Sequence, residues 1–335
     1  MKHKKLSYYA NVIIVNLIPA FYAVTCIFPV VWLFYTTFKT QPEFSIDVLA
    51  LPNDWNNITN YEYVLTQMPI IRAMLNTLRV TAIALVIILL FSFVNGYFLA
   101  RFRFRGSKVL SLLYMSNLLI PIHAILVPIY ILFAKAGLSN HWYSTIIPCV
   151  CMELTTSIFL VKSYMDAVPR ELEEAASIDG SSFTRTMFMI ILPLVKPVLV
   201  TCGIISFFHI WNEFPFSLIL LNNEKDYTLP LMLMRFKGEY FTDYPRVMTS
   251  LFVSIIPALA IYSIFSKQII KGMMAGAVKG EKKIKRKESK IWNEWNDAGQ
   301  NLPEKIYKKL RTQHYRKNTV IIGWQRENIR HHWQI

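Results

Sequence analysis

The sequence predicts an all-α membrane protein with six transmembrane helices and a helical hairpin on its cytoplasmic side. Three observations carry that expectation. Of 335 residues, 54% are hydrophobic and only 17% are charged, against about 25% charged in an ordinary soluble domain. The apolar residues are gathered in long blocks rather than spread evenly. The basic residues collect at alternate ends of those blocks.

Six blocks are long enough to span. Leu6 to Phe38, Val80 to Ala100 and Val109 to Ala134 contain no Asp, Glu, Lys or Arg. A fourth, Trp142 to Val161, is broken only by Glu153, and a fifth, Pro197 to Leu221, only by Glu213; the sixth is Val247 to Ser266. Roughly 20 mainly apolar residues cross the hydrocarbon core. Backbone groups in lipid must bond within their own segment, so each block is expected as a helix. The first follows "MKHKK", as a secretory signal does, but a signal's apolar region is only about 7–15 residues long. It is read as a retained span.

Orientation follows the basic residues near the span ends. "MKHKK" places the N-terminus inside. Arg101, Arg103, Arg105 and Lys108 join spans two and three there, and Lys162, Arg170, Arg185 and Lys196 join spans four and five. Both termini are therefore expected in the cytoplasm. The expected organisation is a tail over 1–10, a six-span domain over 11–270 containing a loop at 166–195, and a basic cytoplasmic tail over 271–335. Residues 281–335 alone hold 14 of the 36 basic residues but only 6 of the 21 acidic ones.

Between the spans, two outer segments stand out: Lys39 to Asn76, and Asn222 to Pro245, both polar and aromatic. Both are expected to be able to touch a soluble partner. Pro121 and Pro128 fall in one span, where lost backbone donors would bend the helix. Cys26, Cys149, Cys151 and Cys202 lie within apolar blocks without metal-ligand or disulfide spacing. They read as buried thiols, and no metal is expected.

The loop between spans four and five is different in kind. Pro169 suits a first helical turn, "RELEEAASID" carries three glutamates toward the positive end of the helix dipole, and Gly180 can take the positive φ that ends the helix. Ser181 or Ser182 would cap a second helix, and Pro193 would mark the turn back into the bilayer. Leu172, Ala175 and Ala176 form a narrow face of small side chains, as a knob docking into another protein's groove requires.

This loop resembles the signature loop of permease subunits in bacterial ATP-binding-cassette importers. The matching residues are Glu174, Ala175, Ala176, Gly180, Ile190, Leu192 and Pro193. "VPRELEEA", "IDG", "LARFRFRG", "IPIHAILVPIYILFAKAGLSN", "WNEF" and "KGMMAGAVKG" are similar to the carbohydrate-uptake branch, the maltose and glycerol-phosphate type. The likeness covers roughly residues 5–280. It implies the type I importer permease fold, in the plasma membrane of a bacterium. It implies a second homologous permease subunit, a dimer of cytoplasmic ATPases in whose groove Glu174 to Gly180 would sit, and an extracytoplasmic solute-binding protein. Asp179 and Gly180 would shape the turn. The chain has no Walker phosphate loop. ATP would be bound by the partner ATPase, with no cofactor and no catalytic residue on this chain, and no nucleic acid among its partners.

Ionisable groups inside spans are costly and tend to face the bundle interior. Glu153, with Trp211, Asn212 and Glu213 of "WNEF", are the candidates for the translocation path, with an interhelical hydrogen-bond cluster as the plain alternative. His123 and His209 read as packing histidines, and Asn95 and Asn117 as interhelical bonds. The alternatives to a carbohydrate permease are a permease of the same superfamily for a peptide or organic phosphate, and an ion-coupled carrier using Glu153 and Glu213. A carrier would show inverted repeats and no docking hairpin.

Overall fold

The computed structural model describes residues 2–239, 243–266 and 268, and all its regular elements there are helical. In chain order they are α1 (Lys2–Thr36), α2 (Gln41–Ile46), α3 (Thr59–Thr66), α4 (Ile70–Arg101), α5 (Ser107–Leu119), α6 (Ile122–Lys135), α7 (Ile146–Met165) and α8 (Glu171–Ile178). Then come α9 (Phe183–Arg185), a π-helical segment (Thr186–Ile191), α10 (Leu192–Trp211), α11 (Pro215–Leu220), a 3₁₀ turn (Glu224–Asp226), α12 (Leu229–Glu239) and α13 (Tyr244–Ser266). The basic tail expected over 271–335, with "KGMMAGAVKG", lies outside the described residues.

Five helical stretches are long and apolar enough to cross a membrane: Asn16–Thr36, Ile70–Arg101, Ile146–Met165, Phe183–Trp211 and Tyr244–Ser266. The pair α5 and α6 makes a sixth if counted together, although its halves meet at 106°. The bend falls at Pro121, which lacks the N–H a continuous helix would use. The residue before it, Ile120, is extended at ψ 115°, as a residue preceding proline prefers. Pro128 lies within α6 without ending it. Of the two expected bending points, one is a break and the other is accommodated.

Two span boundaries differ from expectation. Span two begins at Ile70 rather than Val80, taking Arg72 and Arg79 into the helix. Span five begins at Phe183 rather than Pro197 and ends at Trp211, so Glu213 falls outside it, in the break before α11. Both shifts have one cause. A hydropathy block stops at a charge, whereas a helix stops where its backbone bonding stops, as at Pro69 or Asn212.

The core is built on α4, which packs chiefly against α7 and α10. Ala73, Thr77, Val80, Ala84 and Ile88 recur at helical spacing and are all buried. Small residues let the backbones close up. A Cβ on Gly96 would stand 2.7 Å from Val161 Cγ1 and 3.2 Å from the Lys162 backbone nitrogen. Toward the α4 C-terminus, Phe93 and Tyr97 pack with Val161, Met165, Met187, Ile191 and Val195. Toward its N-terminus, Ile70 and Ala73 pack with Phe207, Trp211, Leu229, Leu231 and Met232.

That second cluster takes in part of the outer segment that begins at Asn222, through Tyr227, Leu229, Leu231 and Met232. The chain folds back into the bundle there. Asn76 Nδ2 donates to the carbonyls of Lys225 (2.8 Å) and Tyr227 (3.1 Å), and the Leu229 amide donates to Thr77 Oγ1 at 2.8 Å. The corner before it is held by Asn140, which takes a left-handed φ of 63°. Its amide donates to the Leu220 carbonyl at 2.7 Å, and its Oδ1 accepts from the amides of Asn222 and Asn223 at 3.0 and 2.9 Å.

Asn117 and Asn95 make the interhelical bonds their types implied. Asn117 Nδ2 reaches Cys151 O (3.1 Å) and Thr155 Oγ1 (3.0 Å), and Asn95 Oδ1 accepts from Tyr114. Of the cysteines, Cys149 and Cys202 are buried, but Cys26 and Cys151 are exposed. Their helix faces point away from the bundle, where an apolar thiol costs nothing against lipid.

Candidate coupling hairpin and intramembrane polar pair

The hairpin begins as the sequence implies. Glu171, Glu173 and Glu174 occupy the first turn of α8, where carboxylates favour the dipole. It ends at Asp179 in a full left-handed cap. The Gly180 amide bonds the Ser177 carbonyl at 3.1 Å, and the Ser181 amide reaches back to Ala176 at 2.9 Å, the paired bonds of a Schellman ending. Gly180 holds φ +76°, and a Cβ there would meet nothing within 4 Å. Ser182 then caps the next helix, accepting from the Arg185 amide.

The second arm is not a separate hairpin helix. α9, the π segment and α10 run on from Phe183 to Trp211 as one stretch, so Pro193 does not turn the chain. Pro193 has no N–H to give the preceding turn. The turn before it is wound as π, with the Leu192 amide reaching Met187 O. Ile190 and Leu192 pack against the bundle core, so they anchor the arm rather than lie on an outward face.

The outward face of α8 is made by Glu171, Glu174, Ala175 and Ile178, all exposed, with Ile178 at 86%. Leu172 is 41% exposed. Ala176, expected beside Ala175 on that face, is turned inward and buried, because α8 lies against the π segment. The Glu-Ala-Ala triplet is therefore split, with Glu174 and Ala175 outward and Ala176 inward.

Both arms are fastened to the end of α4, where Arg101 does more than mark the cytoplasmic side of a span. Arg101 Nε donates to Glu173 Oε1 at 2.6 Å, Nη1 to Met165 O at 3.1 Å and Nη2 to Val168 O at 2.9 Å. Its side chain is 5% exposed. Tyr97 Oη donates to the other oxygen of Glu173 at 3.2 Å. On the returning arm, Phe183 packs against Tyr97, Phe98 and Phe102, with ring centroids 5.9–6.0 Å apart. Nothing in the spacing of these residues announces the contacts, which join positions more than sixty apart.

The intramembrane candidates separate. Glu153 Oε1 on α7 stands 2.8 Å from His209 Nδ1 on α10, with the imidazole side chain 63% exposed and the carboxylate 15%. His209 is thus a partner of Glu153 rather than a lone packing residue. Trp211 is buried and stacked on Phe207 at 5.5 Å. Glu213 caps α11, accepting from the Phe216 and Ser217 amides and from Ser217 Oγ at 2.7 Å. Asn212 is exposed. "WNEF" does not converge on one surface, and Glu213 is committed to its cap. His123 is exposed. No group of three metal-ligating side chains occurs among the described residues.

Comparisons with known proteins agree with this architecture. Residues 92–274 match the family described as binding-protein-dependent transport system inner membrane component. The chain is 38% identical over 257 residues to a Caldicellulosiruptor protein named as an ABC transporter permease, covering 75% of this chain and 91% of that one. It is 30% identical to the multiple sugar-binding transport system permease protein MsmG of Streptococcus mutans, covering 83% and 99%. A crystal structure of a bacterial ABC transporter involved in the import of the acidic polysaccharide alginate contains a chain of the same fold, with TM-score 0.69, 21% identity and coverage of 76% and 95%.

Proposed function

The chain belongs to the family of binding-protein-dependent transport system inner membrane components, and from that premise we propose that it is a permease subunit of an ATP-driven carbohydrate importer, coupled to its ATPase through α8. The family makes it a multi-pass membrane transport component whose partners include an ATPase and a solute-binding protein. The carbohydrate cargo is supported by the sugar-transport names of relatives such as MsmG and the arabinooligosaccharide permease AraQ of Halalkalibacterium halodurans.

The observation that carries the coupling role is the outward face of α8. Glu171, Glu174, Ala175 and Ile178 are uncovered by their own chain, while the turn behind them is closed at Gly180 by two backbone bonds. Ile178 is 86% exposed, an apolar side chain on the same face as two free carboxylates. A groove on a partner ATPase would cover it and receive the carboxylates. In this reading Glu174, Ala175, Asp179 and Gly180 form the docking edge, and Ala176, Ile190, Leu192 and Pro193 seat the hairpin on the bundle. ATP is bound and hydrolysed by a dimer of the partner, with no ATPase site or cofactor on this chain.

A second homologous permease completes the path. Glu153, paired with His209, and Asn212 are the polar groups offered to it, because exposed ionisable groups are costly against lipid. The termini are cytoplasmic, and the tail beyond 271 is a cytoplasmic appendage.

Co-purification tests the assembly. The tagged chain, expressed with its genomic neighbours, should retain an ATPase and a second permease, and the accompanying binding protein should bind an oligosaccharide in a solute screen. Impermeant maleimide should label Trp55→Cys in intact cells but Ile178→Cys only after permeabilisation. The reverse pattern would overturn the orientation, and a binding protein selective for peptides would overturn the cargo.

A further inference from the structure

The hairpin touches the bundle at two unlike contacts, and both lie on the last turns of one helix. The outgoing arm is held by charge. Arg101 spends every nitrogen on a specific acceptor: Glu173 of α8 and the carbonyls of Met165 and Val168, which end α7 and begin the link to α8. The Met165 carbonyl is at the negative end of the α7 dipole, which favours a guanidinium there. Tyr97, one turn earlier, holds the second oxygen of Glu173. The returning arm is held by packing, with Phe183 set among Tyr97, Phe98 and Phe102. Arg170, just before α8, adds a bond to Ala100 O.

A planar guanidinium with three directed bonds fixes an angle as well as a distance, which a single ammonium contact does not. Gly96 closes the neighbouring turn of α4 onto Val161 and Lys162 of α7, leaving no slack beside the clamp. We infer that the last turns of α4 are the seat of the hairpin, with Arg101 and Tyr97 as positioning residues that hold Glu173, and so the outward face of α8, at a set angle to the α4 axis. A push on α8 then reaches α4 directly, rather than being lost in the α7–α8 link. The inference rests on the proposal that α8 docks on an ATPase, but it concerns only what lies behind that docking face.

The test is a distance that responds to nucleotide. In the assembled importer, with Cys26 and Cys151 replaced by serine, spin labels are placed at Ser177→Cys, exposed on α8 outside the docking face, and Arg72→Cys near the far end of α4. The non-hydrolysable nucleotide AMP-PNP is the probe, so the solute need not be known. With the clamp intact, the label separation should stay the same with and without AMP-PNP. In the double variant Glu173→Ala, Phe183→Ala, which frees both arms and leaves α4 untouched, the separation should shift and its distribution broaden on adding nucleotide. A merely structural role would lower expression of the double variant without making the distance nucleotide-dependent. If the double variant fails to insert, Glu173→Ala alone, with the aromatic contact retained, is read in the same way. A separation that already shifts in the clamped protein, or one that stays fixed in the variant, overturns the inference. Loss of the ATPase from the parent complex would instead overturn the docking proposal, a separate readout taken from the same purification.

Discussion

Glu153 and His209 face each other at 2.8 Å across α7 and α10, a carboxylate–imidazole contact between two membrane-crossing helices. Removing one partner is expected to hurt more than removing both, because a lone carboxylate in a span keeps its desolvation cost without its partner. His209→Leu should lower the Tm of the purified complex. Adding Glu153→Leu should recover part of that loss, while Glu153→Gln, which still hydrogen-bonds the imidazole, should lie near the parent. Equal losses for the single and double leucine variants would show that the pair is not coupled.

Gly96 and Gly203 provide a matched comparison. A Cβ on Gly96 would overlap Val161 at 2.7 Å, whereas one on Gly203 would rest 3.6 Å from a Leu89 methyl. Gly96→Ala is therefore expected to destabilise by about 1–3 kcal/mol through overpacking, and Gly203→Ala to be near neutral. Thermal unfolding of the two variants in detergent checks the order.

Gly180 separates backbone strain from docking. Its φ of +76° strains any side chain, but the space beyond its Cβ is empty. Gly180→Ala and Gly180→Leu should thus both cost the isolated subunit about 1 kcal/mol. Only the leucine projects far enough to disturb a partner, so it should leave the subunit inserted while uncoupling ATP hydrolysis from transport or releasing the ATPase. Normal transport by Gly180→Leu with the ATPase bound would remove α8 from the coupling role.

Ala175 and Ala176 make opposite demands. Cysteine at the exposed Ala175 should crosslink to a cysteine in the ATPase groove, and cysteine at the buried Ala176 should not. A crosslink from Ala176 with none from Ala175 would mean that α8 rotates about its axis on docking.

Acid should loosen the segment between α1 and α4. The Thr40 backbone amide, helped by the Thr40 hydroxyl and the Asn53 amide, holds the Glu43 carboxylate below its ordinary value of 4.5. A depressed folded value means that the contribution is present above 4.5 and is lost as pH falls through the lower folded value. The protection of the α2 amides, measured relative to exchange in an unfolded chain at the same pH, should therefore fall there, and Glu43→Ala should show the low protection already at neutral pH.

The sequence by itself determined the class, the approximate spans and the hairpin. Long apolar blocks admit only helices in lipid, and Pro169, the early glutamates and Gly180 mark the ends of α8 through local backbone chemistry. Tertiary structure decided what lies far apart in the chain. Helix spacing alone could not tell that Ala176 faces inward, since that depends on where the π segment lies. Hydropathy could not tell that residues 222–239 fold back on Asn76 and Thr77, or that Glu213 spends its oxygens on a cap. Arg101 shows the difference most clearly. In the sequence it is one basic residue among several beside a span. In the fold it is buried, and it joins α4 to Glu173, because only the packing of α4 on α7 brings the start of the hairpin within reach of its guanidinium.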